Sequence, residues 1–350
     1  MLHISAEIFD VTDEAVLLFS SGKCSYANPA ACRMFPQGCI GSTPAELLGN
    51  EYANTVSSSN ISNIIINDCE YTVRLRNPDG TLAVILSKIS PVPELVNDSF
   101  IYTLRNNLMN LHLTLCSLRE NELSAKSRQA VADISRSCYK LTRLINNLSL
   151  VRGLEDGNFE FSPRSFDASA HVFELLDSLE LLFPNFTFCG KFSGELMIEA
   201  DPAIFDGMIL NLISNAILHA RECSRITVSL SPMGKKILLS VSDNGIGMSE
   251  KELFGVFDSF SRPHELCDIG KGAGFGLSAV RAAARIHGGT VMLESSEGRG
   301  TSVRVSLSRK LDSGEALNAD SEPFGGGIDP VLCGMCECLD SSYFTEKYTD

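Results

Sequence analysis

Two long stretches of the chain repeat apolar residues at alternating spacings of three and four, and no other feature constrains the fold as strongly. Residues 101–118 and 131–148 both follow this pattern, which lines one stripe of a helix with apolar side chains. The polar segment between them can turn the chain back, so we expect an antiparallel helical hairpin. The repeated positions are Ile101, Leu104, Leu108, Leu111, Leu115 and Leu118, followed by Val131, Ile134, Cys138, Leu141, Ile145 and Leu148.

A hairpin of this kind leaves a narrow apolar stripe that one partner helix covers poorly. Pairing two hairpins into a four-helix bundle buries both stripes completely. The pattern therefore predicts a homodimer. The alternative is a hairpin that packs against neighbouring domains of its own chain.

Composition limits the classes to which the chain can belong. Its 350 residues suffice for two or three domains, and 44% hydrophobic with 21% charged residues is typical of a globular protein. The formal net charge of −14 argues against a nucleic-acid partner, because the phosphate backbone would be repelled.

We expect the protein to be cytoplasmic. No apolar run approaches the roughly 18 residues that a membrane span needs. The first residues also lack a basic segment followed by an apolar one, which a secretory signal would have. The 12 cysteines are therefore expected to be reduced thiols.

The first 93 residues are predicted to form a small α/β domain. Strand-like runs at residues 16–19 and 23–27 precede a helix start at Asn28 and Pro29, and two further runs flank a Pro-Asp-Gly turn. This order resembles a PAS sensor domain. A small dimerisation or docking domain without a ligand is the alternative.

Helices and strands alternate from about residue 159 to residue 309. Asp201 and Pro202 mark a helix start, and a second helix is expected from Gly276 to His287. Strands are expected at residues 225–230, 236–242, 290–294 and 301–307. We expect a two-layer α/β sandwich in which helices cover one face of a sheet.

The whole chain is thus predicted to be a multidomain α+β protein. The expected parts are the small domain at residues 1–93, the hairpin at 94–155 and the α/β sandwich at 156–310. Residues 311–350 are rich in acidic residues and contain three consecutive glycines. We expect them to form a mostly flexible tail with a short helix.

Three segments of the α/β region carry candidate chemistry. Asn211 and Asn215 lie four residues apart, so both amides project from one face of the predicted helix. A neutral amide oxygen suits Mg²⁺ that keeps several waters and bridges to phosphates.

Asp243 follows a strand, and the nearby glycines at 245 and 247 let the backbone approach a ligand. A glycine-rich run at 270–278 enters a helix whose free N–H groups favour phosphate.

The ordered co-occurrence of these segments resembles the N, G1 and G2 boxes of the ATP-binding domain of sensor histidine kinases. Residues 297–301 resemble the closing glycine-threonine box of the same fold. The ATP-binding residues implied by the resemblance are Asn211, Asn215, Asp243, Gly245, Gly247, Lys271, Gly272, Gly274, Phe275, Gly276, Leu277 and Thr301.

The resemblance also implies a role for several of these residues. Asn215 would hold the Mg²⁺ of ATP, and Asp243 would accept from the adenine amino group with Thr301 assisting through water. Residues 249–271 would form a mobile lid over the nucleotide. Leu218 departs from the family pattern, which often has a lysine near the phosphates, and Lys271 is the candidate substitute.

This sequence departs further from the family pattern at the phosphoacceptor position. The matching segment here begins Tyr102-Thr103-Leu104-Arg105, with Tyr102 in place of the histidine and Thr103 in place of the acid that orients it. A phenol is a poor nucleophile at neutral pH without a nearby base. His112 lies ten residues further on, about 80° away around the helix, and we interpret it as a packing or surface residue.

Asn211 separates branches of the wider ATPase superfamily. Chaperone, gyrase and mismatch-repair types place a glutamate at this position, and anti-sigma-type serine kinases place an acid there. An amide cannot accept a proton at neutral pH. Efficient ATP hydrolysis and serine phosphorylation are therefore both disfavoured.

Two functions remain open from the sequence. The first is a sensor histidine kinase-like enzyme that binds ATP and Mg²⁺ for phosphoryl transfer in two-component signalling, with a response regulator as partner. The second is a catalytically inactive regulatory or scaffold protein of the same family. The thiols of Cys333, Cys336 and Cys338 lie close in sequence but lack a fourth ligand for a metal site.

Overall fold

The structure is a computed structural model. It describes residues 9, 12, 14–49, 61–66, 69–76, 81–88, 98–118, 124–156, 161–220, 222–249, 275–310 and 328–345.

In its described residues, the N-terminal domain is an antiparallel sheet with two short helices. Its strands follow the order β2-β1-β5-β4-β3. The predicted helix start is confirmed, because the Asn28 side chain accepts from the backbone N–H of Ala31 (2.9 Å) and Pro29 follows it. The elements are β1 (Ala15–Ser20), β2 (Lys23–Ala27), α1 (Pro29–Met34), α2 (Pro44–Leu48), β3 (Ile61–Ile66), β4 (Cys69–Arg76) and β5 (Leu82–Lys88).

The predicted hairpin is present as α3 (Asp98–Cys116) and α4 (Ala125–Asp156). The two helices are antiparallel, since Arg105 near the start of α3 donates to Ser149 near the end of α4 (3.0 Å). At the other end, the rings of His112 and Tyr139 lie 5.7 Å apart. His112 is buried, so it is a packing residue.

The apolar stripe of the hairpin is only partly covered within one chain. Ile101, Cys138 and Ile145 are buried, whereas Leu111 and Leu141 are 43% and 48% exposed. Helix α4 also packs on elements of the α/β region of its own chain, as the alternative interpretation expects. The homodimer remains a prediction.

The α/β region is confirmed as two layers. Buried side chains alternate along the strands Arg225–Met233 and Lys236–Asp243, which places one face of the sheet against the helices. Among the described strands, the one parallel pair joins Thr187–Phe192 to Arg225–Met233. The elements are β6 (Arg164–Asp167), α5 (Ala168–Leu182), β7 (Thr187–Phe192), β8 (Met197–Ala200), α6 (Pro202–His219), β9 (Arg225–Met233), β10 (Lys236–Asp243), α7 (Phe275–Ile286), β11 (Thr290–Ser296) and β12 (Gly300–Ser308).

The two sheets are joined edge to edge. Strand β3 of the N-terminal domain pairs with β11 of the α/β region, where Ile61 lies opposite Leu293 and Ser62 opposite Met292. The described strands thus form one sheet of ten in the order β2-β1-β5-β4-β3-β11-β12-β10-β9-β7.

The end of the chain differs from the flexible tail that the sequence favours. Residues 328–345 form α8 (Pro330–Met335) and a short 3₁₀ helix (Ser341–Phe344). Met335, Cys336 and Phe344 are at most 1% exposed and belong to the main apolar core. The acidic and glycine-rich composition of residues 311–350 does not predict this packing, because the apolar residues are concentrated in one short segment.

Helices in the described part of the chain are all too short or too polar to cross a membrane. The cysteines described there are free thiols.

Candidate nucleotide site

Helix α6 presents the two asparagines. Its first turn is fixed by Asp201, whose carboxylate accepts from the backbone N–H groups of Ala203 (2.9 Å) and Ile204 (3.2 Å). Both amides project from one side, as their spacing predicts. Asn211 is only 4% exposed, whereas Asn215 is partly exposed.

The first turn of α7 packs directly against this amide pair. A Cβ added to Gly276 would lie 3.3 Å from Oδ1 of Asn211 and 3.7 Å from Oδ1 of Asn215. The absence of a side chain at residue 276 therefore lets the start of α7 approach both amides closely. Free N–H groups at the start of a helix favour negative charge, so phosphate oxygens fit beside this pair.

Asp243 ends β10 with its carboxylate held by the backbone. Oδ1 accepts from the N–H of Gly245 (2.9 Å) and of Thr301 (3.2 Å), and Oδ2 has no hydrogen bond to another described residue. Burial raises the pKa of this carboxyl, and the two backbone hydrogen bonds oppose that change. The arrangement leaves one carboxylate oxygen for an amino group of a ligand.

The loop after Asp243 is fastened to the β11–β12 turn. The N–H of Gly298 donates to the carbonyl of Ile246 (2.6 Å), and the N–H of Met248 donates to the hydroxyl of Ser295 (2.9 Å). That hydroxyl also lies 2.9 Å from the hydroxyl of Thr301. A Cβ on Gly247, which has a φ of +68°, would overlap the carbonyl of Ser296, so this close approach requires glycine.

An apolar contact joins the two halves of the site. Leu277 of α7 packs with Leu293, Met248 and Val303. The structure thus brings the asparagine pair, Gly276, Leu277 and the Asp243 loop to one region. Lys271, Gly272, Gly274 and most of the proposed lid lie outside the described residues. Phe275 is the first residue of α7.

The residues present fit a magnesium ion bound through ATP. The side chain of Asn215 makes no hydrogen bond to another described residue, so its amide oxygen is available as a ligand. Gly276 lies close to this oxygen, since a Cβ there would be 3.7 Å from it. A neutral oxygen donor of this kind suits Mg²⁺, which keeps several waters and bridges to phosphates.

Asn211, in contrast, is already engaged by the hairpin. Its Oδ1 accepts from Nη2 (2.8 Å) and Nε (3.3 Å) of Arg143, and from Nδ2 of Asn147 (3.3 Å). Its Nδ2 donates to Oδ1 of Asn147 (3.0 Å). The sequence gives no sign of this network, because polar residues off the apolar stripe of a helix usually face solvent.

Tyr102 and Thr103 lie in the first half of α3. Tyr102 is 65% exposed and borders a cleft of about 690 Å³ between the hairpin, α6 and α8, which Asn211 also borders. The cleft does not include Asn215 or Asp243, so it adjoins the candidate nucleotide site without coinciding with it. The Thr103 hydroxyl donates to the carbonyl of Ser99 (2.8 Å).

The three cysteines of the C-terminal segment are packing residues. Burial raises the pKa of Cys333 to about 12 and that of Cys336 to about 11, and it also raises the pKa of Cys338. Metal ligands must be thiolates, which these environments disfavour. Within the described ranges, no cluster of three or more side chains could hold a metal ion.

Comparison with known proteins shows what the α/β region is similar to. The family described as histidine kinase-, DNA gyrase B- and HSP90-like ATPase matches residues 200–311. The chain is 36% identical over 184 residues to histidine protein kinase DivJ of Caulobacter vibrioides, covering 50% of this chain and 30% of DivJ. It is 28% identical over 187 residues to sensor protein KdpD of Escherichia coli, covering 53% of this chain and 21% of KdpD. The chain thus spans less than a third of the length of either relative.

A similar solved structure is that of full-length ShkA in complex with AMPPNP. The TM-score is 0.49 and the sequence identity 21%, over 60% of this chain and 44% of that chain.

Proposed function

We propose that the chain binds ATP with Mg²⁺ as a sensor-kinase-like protein of two-component signalling. The match of residues 200–311 to the histidine kinase-, DNA gyrase B- and HSP90-like ATPase family supports this proposal. The observation that carries this proposal is the convergence of Asn215, Gly276 and Asp243 from three elements. Each offers the chemistry that one part of the nucleotide needs.

Each end of the nucleotide has a candidate partner. Asn215 would hold Mg²⁺, which neutralises phosphate charge, and the start of α7 would face the phosphates. Oδ2 of Asp243 would accept from the adenine amino group, with the Thr301 hydroxyl nearby. Asn211 would lie beside the phosphates once released from the hairpin.

The rest of the chain supports a signalling role. The N-terminal sheet order and its two helices are compatible with a PAS-like sensor domain, although the ligand-free docking domain remains the alternative. The exposed part of the hairpin stripe favours pairing with a second copy. A response regulator is the proposed protein partner.

A second candidate function rests on the acceptor position. Tyr102 replaces the nucleophilic histidine, and the Thr103 hydroxyl is engaged with its own helix. An ATP-binding regulatory protein that does not phosphorylate itself would need neither an imidazole nor a base at these positions.

Calorimetric titration with ATP and Mg²⁺ tests the proposal. Wild-type protein should bind, and Asn215→Ala should weaken binding by about 1 to 3 kcal/mol, the cost of removing a polar partner. Asn107→Ala, which removes an exposed amide on α3, is the matched control and should bind as wild type does. Equal affinities for wild type and Asn215→Ala would contradict the site assignment.

A further inference from the structure

We infer that the C-terminal segment, residues 328–345, is a latch that holds the hairpin on α6 and keeps Asn211 from the nucleotide. This inference rests on the proposed binding of ATP and names a regulation of that same site. The segment has no counterpart in the matched family region, which ends at residue 311.

The latch contacts both helices that it would hold together. On the hairpin side, Arg136 of α4 donates to the carbonyls of Cys336 (3.1 Å) and Glu337 (3.2 Å). The rings of Tyr139 and Phe344 lie 4.9 Å apart, and both side chains are at most 1% exposed. These contacts attach the segment to the middle of α4.

On the other side, the latch rests on the helix that carries the asparagines. A Cβ added to Gly334 would lie 2.7 Å from Cβ of Leu210, so α8 and α6 are in close contact there. The thiol of Cys338 lies 3.4 Å from the hydroxyl of Ser214. Leu210 and Ser214 flank Asn211 on the same helix.

A buried network connects the latch to the Asn211 amide. Arg143, which is 8% exposed, donates from Nη1 to the hydroxyl of Ser214 (3.1 Å) and lies 3.8 Å from the carboxylate of Glu337. Its remaining contacts go to Oδ1 of Asn211. One guanidinium thus touches the latch, α6 and the candidate site.

Nucleotide contact with Asn211 must therefore displace this arrangement. Oδ1 of Asn211 accepts from Arg143 and Asn147, its Nδ2 donates to Asn147, and the residue is only 4% exposed. A phosphate or a metal-bound water therefore reaches this amide only when α4 withdraws. The latch stabilises the state in which α4 has not withdrawn. By thermodynamic linkage, a nucleotide that favours the withdrawn state must loosen the latch to the same degree.

Gly334→Val is the variant that tests the latch, because its side chain collides with Leu210 and alters no residue of the site. We expect ATP-Mg affinity to rise about fivefold or more, the lower range of typical coupling between sites. Gly207→Ala is the matched control on α6, since a Cβ there meets nothing within 4 Å. Arg136→Ala, which removes the two hydrogen bonds to the latch, is the second variant in case Gly334→Val does not fold.

Labelling of the latch cysteines with a maleimide gives an independent readout. Cys333 and Cys336 are at least 92% buried, so in wild-type protein these two thiols should react slowly, and ATP-Mg should speed their reaction. Peptide mapping separates them from Cys32 and Cys116, which are exposed and should react quickly in every sample. Gly334→Val should react quickly without nucleotide. Faster labelling of Gly334→Val than of wild type, with equal ATP affinity in the two proteins, would overturn the inference that the latch controls the site. The proposed binding of ATP would still stand. Absence of ATP binding in wild type and both variants would overturn the proposed function as well.

Discussion

The backbone N–H of Thr301 donates a hydrogen bond of 3.2 Å to Oδ1 of Asp243, and this contact joins the start of β12 to the end of β10. The contact uses the backbone of residue 301, so the carboxylate is oriented by the fold and not by the Thr301 side chain. Oδ2 is thereby directed away from the two N–H groups that hold Oδ1.

Asp243→Asn should weaken ATP-Mg binding by about 1 to 3 kcal/mol without unfolding the protein. The amide oxygen of asparagine can still accept from Gly245 and Thr301, but its NH₂ group cannot accept from the adenine amino group. Calorimetry measures the affinity, and circular dichroism checks the fold. Asp177→Asn, an exposed carboxylate on α5, is the matched control. The same affinity in both variants would show that Asp243 does not bind the base.

Gly300→Ala should destabilise the protein more than Gly298→Ala. Both glycines have positive φ, at +79° and +73°, so alanine is strained at either position. A Cβ at residue 300 would also overlap the carbonyl of Asp243, whereas residue 298 faces open space. We expect Gly300→Ala to cost about 1 to 3 kcal/mol beyond its control, as overpacking does. Denaturant unfolding measures the difference, and equal losses would contradict the close approach.

Much of this site was predictable because the residues act locally. The spacing of Asn211 and Asn215 fixes their common face on any helix, and Asp201 with Pro202 marks where that helix begins. Gly276 likewise fits a close approach at a helix start. Such patterns depend on a few neighbouring residues, so they can be interpreted without knowledge of the tertiary fold.

The contacts that cross the chain were not predictable in this way. The Arg143–Asn211 hydrogen bonds span 68 positions, and the sequence of α4 does not distinguish Arg143 from an arginine that faces solvent. The packing of Phe344 on Tyr139 also depends on where the fold brings the chain end. Composition alone favours a flexible tail over residues 311–350, because they are rich in acidic residues and contain three consecutive glycines.

Introducing charge on the exposed part of the hairpin stripe should prevent dimer formation. Leu111→Glu and Leu141→Glu together would bury unpaired charge between two hairpins, which is strongly unfavourable. Both residues are exposed within one chain, whereas Ile145 is buried and its replacement would also disturb the monomer. Light scattering at micromolar concentration should show a wild-type dimer and a monomeric variant. Thr114→Glu, an exposed polar position on α3, is the control, and a wild-type monomer would refute the bundle.

Acid should destabilise the protein in part through His287. Its Nδ1 lies 2.7 Å from the carbonyl of Ala283, and its Nε2 accepts from the backbone N–H of Asp201 (3.2 Å). Burial lowers the pKa of this fully buried histidine, so the neutral form is favoured in the fold. The unfolded chain then binds more protons below about pH 6.5, and stability is lost as pH falls through that range.

His287→Gln should reduce this acid sensitivity. Glutamine can accept from Asp201 and donate to Ala283 but does not titrate. The free energy of unfolding, measured with urea at about pH 7.5 and about pH 5.5, should fall more for wild type than for the variant. An equal fall in both proteins would assign the acid sensitivity to other groups.

Wild-type protein incubated with γ-labelled ATP should acquire no acid-labile phosphate. Phosphoryl transfer needs a nucleophile with an available lone pair, and Tyr102 offers a phenol with no base supplied by Thr103, whose hydroxyl donates to Ser99. Tyr102 is 65% exposed at the edge of the cleft, so a new side chain there can be accommodated. The double variant Tyr102→His and Thr103→Glu restores both missing groups and should gain acid-labile label.

His112→Ala separates this prediction from a shifted acceptor. His112 is 6% exposed and burial lowers its pKa, so the imidazole is neutral but enclosed between the two helices of the hairpin. A buried ring cannot reach a bound nucleotide without separation of α3 from α4, and the variant should leave labelling of the double variant unchanged. Acid-labile label on wild-type protein that disappears in His112→Ala would instead place the acceptor at residue 112 and refute the assignment of residue 102.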